Sequence, residues 1–174
     1  MGQLKTDLLV IGAGSGGLSV AAGAVQMGAD VILLEGHKMG RDCLNYGCVP
    51  SKALIASGKA AQAQAHAARY GVADVVPQVD YAAAMGHVSD VIAQIAPVDS
   101  QERFEGLGVK VIRDYGRFLS ADEVQAGEHV IRARRIVIAT GSSPLVPPIP
   151  GLESVPYVTN ETLFEMREKP EHLL

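Results

Sequence analysis

Two cysteines, Cys43 and Cys48, are the residues of this chain best suited to redox chemistry. In a regular helix this spacing would separate them by about 7.5 Å along the axis, whereas a disulfide requires roughly 4.4–6.8 Å between α-carbons. A bridge therefore needs an irregular backbone, which Gly47 permits. Spacing alone predicts either a reducible disulfide or two unlinked structural cysteines, and it leaves both open.

Cys48 precedes Pro50 by two residues. Because proline is tolerated in the first turn of a helix and not in its interior, a helix is predicted to begin at Cys48. The positive end of the helix dipole favours a thiolate there, and Lys52, one turn further on, adds positive charge. This segment is therefore predicted to hold a reducible disulfide whose reduced form has a reactive thiolate at Cys48.

A glycine-rich segment, Gly12–Gly17, has the spacing G-x-G-x-x-G. The first glycine of such a turn makes the tight bend, the second lets backbone amides approach a pyrophosphate, and the third lets the helix pack closely. The next apolar strand ends in Glu35, whose carboxylate is placed to accept hydrogen bonds from a ribose and disfavours a 2′-phosphate. The pattern predicts dinucleotide binding without NADP at this site; a plain strand-to-helix turn with a surface glutamate is the alternative.

Hydrophobic patterns predict the elements that position these residues. Asp7–Ile11 and Asp30–Glu35 are apolar runs of strand length on either side of a helix, which together indicate a parallel βαβ unit. Alanine-rich residues 51–70 predict a helix. A further helix places four apolar residues on one buried face and ends near a proline; these are Val88, Val91, Ile92, Ile95 and Pro97.

The second half of the chain is predicted to complete the sheet. Val109–Arg113 has the pattern of a strand, and short strands at 116–119, 123–125 and 129–131 suggest an antiparallel meander. This meander leads to a last core strand, Arg135–Ala139. The predicted fold class is α/β, with a Rossmann-like parallel sheet, flanking helices and a small antiparallel β-meander.

The composition shifts after residue 143, where four prolines occur within residues 144–150. Prolines at this density exclude regular helix and central strand, and Thr159–Thr162 is a possible cap for a short last helix. The segment 171–174 resembles the start of another strand. We therefore expect one domain at 1–143, followed at 144–174 by a proline-rich crossing segment and short helix that lead to a further domain.

Composition limits the classes of function. With 48% apolar and 20% charged residues the chain has the balance of a soluble globular protein, and a net charge of −4 provides no basic surface for nucleic acid. No apolar run reaches the length of a bilayer span. The five histidines show no ligand spacing, so no metal site is expected. These features favour a cytoplasmic protein with two chemically active cysteines.

Three separated motifs together resemble the pyridine nucleotide–disulfide oxidoreductases, the family of dihydrolipoamide dehydrogenase, mercuric reductase and glutathione reductase. The motifs are the glycine turn, the cysteine segment from Cys43 to Lys52, and Ala139–Ser142. The last is similar to the family's second flavin motif. The resemblance covers essentially the whole chain, and it implies the FAD-binding front portion of a longer enzyme with the FAD/NAD(P)-binding fold.

The resemblance also implies roles for individual residues. Cys48 would face the flavin as the charge-transfer thiolate, Cys43 would be the outer thiol that attacks substrate, and Lys52 would lie near the reactive edge of the isoalloxazine. The remaining residues would contact other parts of FAD; they are Gly12, Gly14, Ser15 and Gly17 at the pyrophosphate, Glu35 at the ribose, Asp42, Thr140 and Gly141 along the cofactor, and Gly116 at the adenine.

One position departs from the family pattern. Gly40-Arg41 stands where two glycines are usual before the residue that precedes the first cysteine. If the backbone here needs a positive φ, or lies against the cofactor, arginine would strain the loop or crowd the site. Alternatively, its guanidinium could reach the flavin diphosphate. The sequence leaves both possibilities open.

For the full-length protein the resemblance implies an NAD(P)H-binding domain and a C-terminal dimerisation domain, so the 174 residues are expected to be an incomplete catalyst and the whole protein a homodimer. The substrate would be a small-molecule disulfide or Hg(II), and the sequence does not choose between them. Two other functions stay open: a self-associating structural fragment without flavin, and an NAD dehydrogenase domain. The dehydrogenase function gives no role to Cys43, Cys48 or Thr140-Gly141.

Overall fold

The computed structural model describes residues 2–174, which divide into two compact units. The first comprises the segment up to Cys43 together with Ile95–Ser143, and the second comprises Leu44–Gln94 together with Pro144–Leu174. This division cuts the chain between Ser143 and Pro144 and also separates Leu44–Gln94 from the first unit. The domains at 1–143 and 144–174 stay predictions. No helix among the described residues is long and apolar enough to cross a membrane.

The first unit is built on a six-stranded mixed sheet with the order β3-β2-β1-β6-β5-β4. The strands are β1 (Gly2–Ile11), β2 (Val31–Leu34), β3 (Lys110–Ile112), β4 (Gly116–Phe118), β5 (Glu123–Ala126) and β6 (His129–Ile138). β1 pairs in parallel with β2 and with β6, and β2 with β3. β5 is antiparallel to both β4 and β6. The predicted α/β class, with a parallel core and an antiparallel meander, is confirmed.

Two strands are longer than the hydrophobic pattern indicated. Residues 129–131 and 135–139 were expected as separate strands, but His129–Ile138 is one strand that includes the polar residues Arg132 and Arg134 between them. β1 likewise begins at Gly2, five residues before the apolar run. The two strands pair in register from Gly2 opposite His129 to Ile11 opposite Ile138, and this ladder extends both beyond their apolar segments.

Apolar side chains cover both faces of the central strands. Val10 of β1 joins a cluster with Leu18 of the first helix and Phe104, whereas its neighbours Leu9 and Ile11 join a cluster with residues of β5 and β6. Successive side chains of a strand point to opposite faces, so a continuous apolar run is required when both faces are buried. The run at Leu8–Ile11 thus belongs to the centre of the sheet.

The helices are α1 (Ser15–Gln26), α2 (Arg41–Asn45), α3 (Cys48–Ala65), α4 (Tyr81–Ile95), α5 (Gln101–Gly106) and α6 (Asn160–Leu163). Thr159 caps α6 through a capping box, as its sequence suggested. The predicted buried face of α4 is only partly correct, because Val88 is buried but Ile95 is 36% exposed. Pro97 lies in a 3-10 turn that follows α4, in agreement with its predicted breaking role.

Two predicted boundaries in the second unit are corrected. The alanine-rich helix ends at Ala65 rather than near residue 70, and a separate 3-10 turn, Ala68–Tyr70, follows it. Residues 171–174 form no strand. A strand needs a neighbour for its backbone hydrogen bonds, and none of the six strands in the described part of the chain pairs with this segment.

Gly17 and Gly16 provide a matched test of packing in α1. A β-carbon at Gly17 would lie 1.8 Å from the carbonyl oxygen of Gly12, whereas one at Gly16 would have no atom within 4 Å. We expect Gly17→Ala to lower the free energy of unfolding by about 3 kcal/mol, as severe overpacking does. Gly16→Ala should leave it unchanged or raise it by up to about 1 kcal/mol. Urea denaturation of both variants checks this; equal stabilities would contradict the packing.

Candidate functional site

The glycine turn lies between the end of β1 and the start of α1, at the edge of the sheet where the parallel strands end. The N–H of Gly12 donates to the carbonyl oxygen of Leu34 at 2.8 Å. A β-carbon on Gly12 would lie 2.3 Å from the carbonyl oxygen of Ala139, and the residue has φ +107°. The turn is therefore held between the ends of β2 and β6, and only glycine fits there.

The start of α1 has the features of an anion-binding helix terminus. Gly14 is the N-cap residue, no side chain caps the first turn, and no acidic residue lies in it. Ser15, the first helical residue, is exposed. The first backbone N–H groups of a helix have no partner within the helix, and the dipole favours negative charge beside them. This terminus can accept a phosphate without displacing a protein carboxylate.

Glu35 follows β2 directly and is only 3% exposed. Its Oε2 accepts a hydrogen bond from the N–H of Ala13 at 2.8 Å, and its Oε1 accepts one from the N–H of His37 at 2.8 Å. A buried carboxylate is stable only when it is hydrogen-bonded or paired. Glu35 therefore ties the glycine turn to the loop after β2, and a surface position for it is excluded.

Arg113 also holds this loop, and the sequence patterns did not single it out. It comes directly after β3, and its Nε donates to the carbonyl oxygen of Glu35 at 3.2 Å. A second guanidinium nitrogen donates to the carbonyl oxygen of His37. Because β3 runs parallel to β2, a side chain at the end of β3 reaches the loop that follows β2. The sequence predicted a strand at Val109–Arg113 but not its place beside β2, which is what brings Arg113 to this loop.

Arg41 has φ +42° and is the one non-glycine residue with positive φ in residues 2–174. This conformation costs an L-residue roughly 1–2 kcal/mol. The departure from the family's second glycine thus falls where a positive φ is needed. Its Nη1 lies 3.7 Å from Oε1 of Glu35, and its Cβ lies 3.4 Å from the position of a β-carbon on Gly14. Arg41 therefore extends along the glycine turn toward the buried carboxylate.

Other predicted contact residues lie near the same edge. Gly116 opens β4, where a β-carbon would lie 3.0 Å from Cδ1 of Leu34. Thr140 and Gly141 follow β6 directly and are exposed, and Gly141 has φ +69°. Asp42 lies in the first turn of α2. The first unit therefore gathers most of the predicted cofactor positions at the ends of β1, β2 and β6, while their contacts with a cofactor stay predictions.

The cysteine segment has the broken backbone that a bridge requires. Cys43 lies in α2 and is half-buried, whereas Cys48 is exposed and is the first residue of α3. α2 ends at Asn45, so no regular helix joins the two cysteines. The predicted helix start at Cys48 is confirmed. Lys52 is exposed on the same helix. The pairing of the cysteines and the role of Lys52 stay predictions.

The start of α1 and the carboxylate of Glu35 fit an adenine dinucleotide on structural grounds. An uncapped helix terminus can bind a diphosphate, and the buried carboxylate of Glu35 at the end of the neighbouring strand can accept from a ribose. Glu35, Arg41 and Gly14 lie in one unit, and the arrangement matches the rule that parallel sheets bind ligands at the carboxyl ends of their strands.

Comparisons with known proteins support this interpretation. The sequence profile of the family described as pyridine nucleotide-disulphide oxidoreductase matches residues 6–174. A mercuric reductase of Streptomyces lividans is 32% identical, with 97% of this chain and 37% of the relative covered. Dihydrolipoyl dehydrogenase 2, chloroplastic, of Arabidopsis thaliana is 32% identical, with 95% and 30% covered. The chain spans about a third of the length of the curated relatives it matches.

A solved structure has the same fold. The Cu(II) complex of the HOCl-induced flavoprotein disulfide reductase RclA from Escherichia coli superposes with a TM-score of 0.71 at 25% identity, covering 92% of this chain and 34% of that one. The family description names a pyridine nucleotide and this neighbour is a flavoprotein, in agreement with the FAD and NAD(P)H that the sequence motifs implied. With its site geometry and a family match over nearly its whole length, this chain belongs to the pyridine nucleotide-disulphide oxidoreductase family.

Proposed function

We propose that this chain is the FAD-binding, redox-disulfide part of a reductase that uses NAD(P)H to reduce a small-molecule disulfide or Hg(II). The observation that carries the proposal is the uncapped start of α1 beside the buried Glu35. The two features suit the two polar parts of an adenosine diphosphate. The relatives include mercuric reductases and dihydrolipoyl dehydrogenases, which supports either substrate class.

The adenosine diphosphate half of FAD would be held by the first unit. Backbone N–H groups at the start of α1 would donate to the diphosphate, with Gly14 and Ser15 offering no bulky side chain. The carboxylate of Glu35 would accept from the ribose hydroxyls. Gly116 would leave room near the adenine, and Asp42, Thr140 and Gly141 would line the remainder.

The cysteines would carry the redox step. When bound, FAD supplies two-electron chemistry. The Cys43–Cys48 disulfide accepts two electrons and its S–S bond breaks, leaving Cys48 as a thiolate and Cys43, after proton uptake, as a thiol. Once deprotonated, Cys43 would attack a disulfide substrate, so that a mixed disulfide forms as the substrate S–S bond breaks and one thiolate leaves. Cys48 would then displace the second thiolate and re-form the Cys43–Cys48 bond. Cys48 is the first residue of α3, and Lys52 lies one turn further along the same helix.

The first prediction concerns the visible spectrum. We expect the purified chain to take up FAD and, after stepwise reduction with dithionite, to show a long-wavelength charge-transfer band, because the Cys48 thiolate would lie against the flavin. Cys48→Ser should remove the band and retain FAD, whereas Cys43→Ser should show the band without added reductant. A chain that has no flavin absorbance once unbound FAD is removed, while its circular dichroism indicates a folded protein, would exclude the flavoprotein proposal.

The second prediction separates folding from cofactor binding. Gly14 has φ −79° and ψ 179°, so a residue with a side chain fits the backbone, and aspartate is a favoured N-cap. Gly14→Asp should leave the melting temperature unchanged or raise it, yet weaken FAD binding by about a hundredfold or more, because its carboxylate lies where the diphosphate binds.

Gly14→Asn is the matched control for this prediction. It is also a good N-cap but lacks the charge, so it should weaken FAD binding less than Gly14→Asp does. Calorimetric titration with FAD measures both variants. Equal affinities for wild type and Gly14→Asp would show that the start of α1 does not bind the diphosphate.

The alternative is a self-associating fragment without flavin. It is favoured by apolar side chains exposed in the second unit, which include Leu145 at 87% and Ile149 at 55%. Sedimentation velocity with and without FAD distinguishes the two: the flavoprotein proposal requires flavin absorbance to sediment with the protein. Protein that oligomerises and sediments without flavin absorbance favours the alternative.

A further inference from the structure

The Arg41 side chain extends from the start of α1 to the carboxylate of Glu35. The stem of its side chain lies beside Gly14, the N-cap of α1, and its guanidinium is 3.7 Å from Oε1 of Glu35. The start of α1 is suited to a diphosphate, and the carboxylate of Glu35 is suited to a ribose. The side chain therefore lies along the segment of the site in which the adenosine diphosphate half of a dinucleotide would bind.

The Arg41 guanidinium lies beside Oε1 of Glu35, an oxygen that a ribose hydroxyl would need as an acceptor. Oε2 of Glu35 already accepts from the N–H of Ala13, and Oε1 accepts from the N–H of His37. A carboxylate has about four lone-pair sites, so each further donor reduces what is left for a ligand. The Arg41 guanidinium is too distant to use a lone pair of Oε1, but its charge lies 3.7 Å from that oxygen, so a ribose hydroxyl that approaches Oε1 must displace it.

The contact with Glu35 is weaker than one with a diphosphate would be. At 3.7 Å the pair is too long for a hydrogen bond, and the Arg41 side chain is 31% exposed to solvent. A diphosphate carries more negative charge and can accept two guanidinium hydrogen bonds at once. A bound diphosphate would therefore draw the guanidinium away from the carboxylate.

We propose that Arg41 changes partners when the cofactor binds: its guanidinium leaves Glu35, which frees the carboxylate for the ribose, and binds the diphosphate. Arg41 is thereby a specificity-determining residue that favours adenine nucleotides with a diphosphate over adenosine. This inference rests on the proposed function, and it selects the diphosphate contact from the two possibilities that the sequence left open for this position.

This change of partner by Arg41, called the exchange below, predicts that removing the guanidinium weakens ADP binding and strengthens adenosine binding. ADP compensates for the lost Arg41–Glu35 pair through its diphosphate, whereas adenosine breaks the pair without compensation. Arg41→Gln should weaken the binding of FAD and of ADP by about tenfold, as the loss of a charged hydrogen bond does. The same variant should strengthen adenosine binding by about threefold, because the competing cation is gone. Calorimetry for FAD and ADP, and NMR titration for adenosine, measure these constants.

Matched variants separate charge from backbone strain. Arg41→Gln retains a side chain at φ +42°, whereas Arg41→Gly relieves the strained backbone and should raise the melting temperature. Both variants should lose affinity for ADP, because both lack the guanidinium. Arg132→Gln is the charge control: Arg132 is exposed and paired with Asp122, so its removal should change each affinity by less than about twofold.

A double variant tests the resting partner. In a Glu35→Gln background the Arg41–Glu35 ion pair is absent, so adding Arg41→Gln should no longer strengthen adenosine binding. It should still weaken ADP binding. Persistence of the adenosine effect in this background would show that Glu35 is not the partner that Arg41 leaves, and would overturn the exchange.

The remaining outcomes each have one meaning. If Arg41→Gln binds FAD and ADP as well as wild type or better, arginine only crowds the site; the exchange is wrong and the proposed function stands. If the variant loses ADP and adenosine equally, Arg41 acts through the structure of the turn, and the exchange is again wrong. If wild type binds neither FAD nor ADP, the proposed function fails and the exchange fails with it.

Discussion

The close approach of α1 to the turn after β1 is the constraint on which the rest of the first unit depends. A β-carbon on Gly17 would lie 1.8 Å from the carbonyl oxygen of Gly12, and one on Gly12 would lie 2.3 Å from the backbone after β6. Three elements thus meet with no side chain between them. This contact brings the start of the helix to the edge of the sheet, so that its backbone N–H groups lie beside the ends of the central parallel strands.

The buried carboxylate of Glu35 depends on the same arrangement. It accepts hydrogen bonds from Ala13 in the glycine turn and from His37 in its own loop, and Arg113 binds two carbonyl oxygens of that loop. A charge this deeply buried is tolerated only with such partners. If Glu35 binds a ribose as proposed, its carboxylate is already in position before the ligand arrives, which would lower the entropy lost on ordering the site.

The two cysteines and the proposed cofactor site depend on different features of the chain. The dinucleotide features depend on backbone that is tightly packed within the first unit, whereas Cys48 is exposed at the start of α3 in the second unit. Cys43, to which the proposal assigns the attack on the substrate, is half-buried. Cys43 belongs to the first unit. The residues suited to the adenosine diphosphate therefore all belong to the first unit, whereas the cysteine segment includes residues of both units.

The sequence by itself determined the fold class, the parallel βαβ unit, the glycine turn and the helix start at Cys48. These follow from local rules: apolar runs of strand length, glycines where side chains cannot fit, and a proline confined to the first turn. It did not reveal that residues 129–138 form one strand, because the ladder with β1 overrides the local polarity of its arginines. Tertiary structure alone decided the burial of Glu35, the role of Arg113 and the conformation of Arg41, since each depends on neighbours contributed by distant segments.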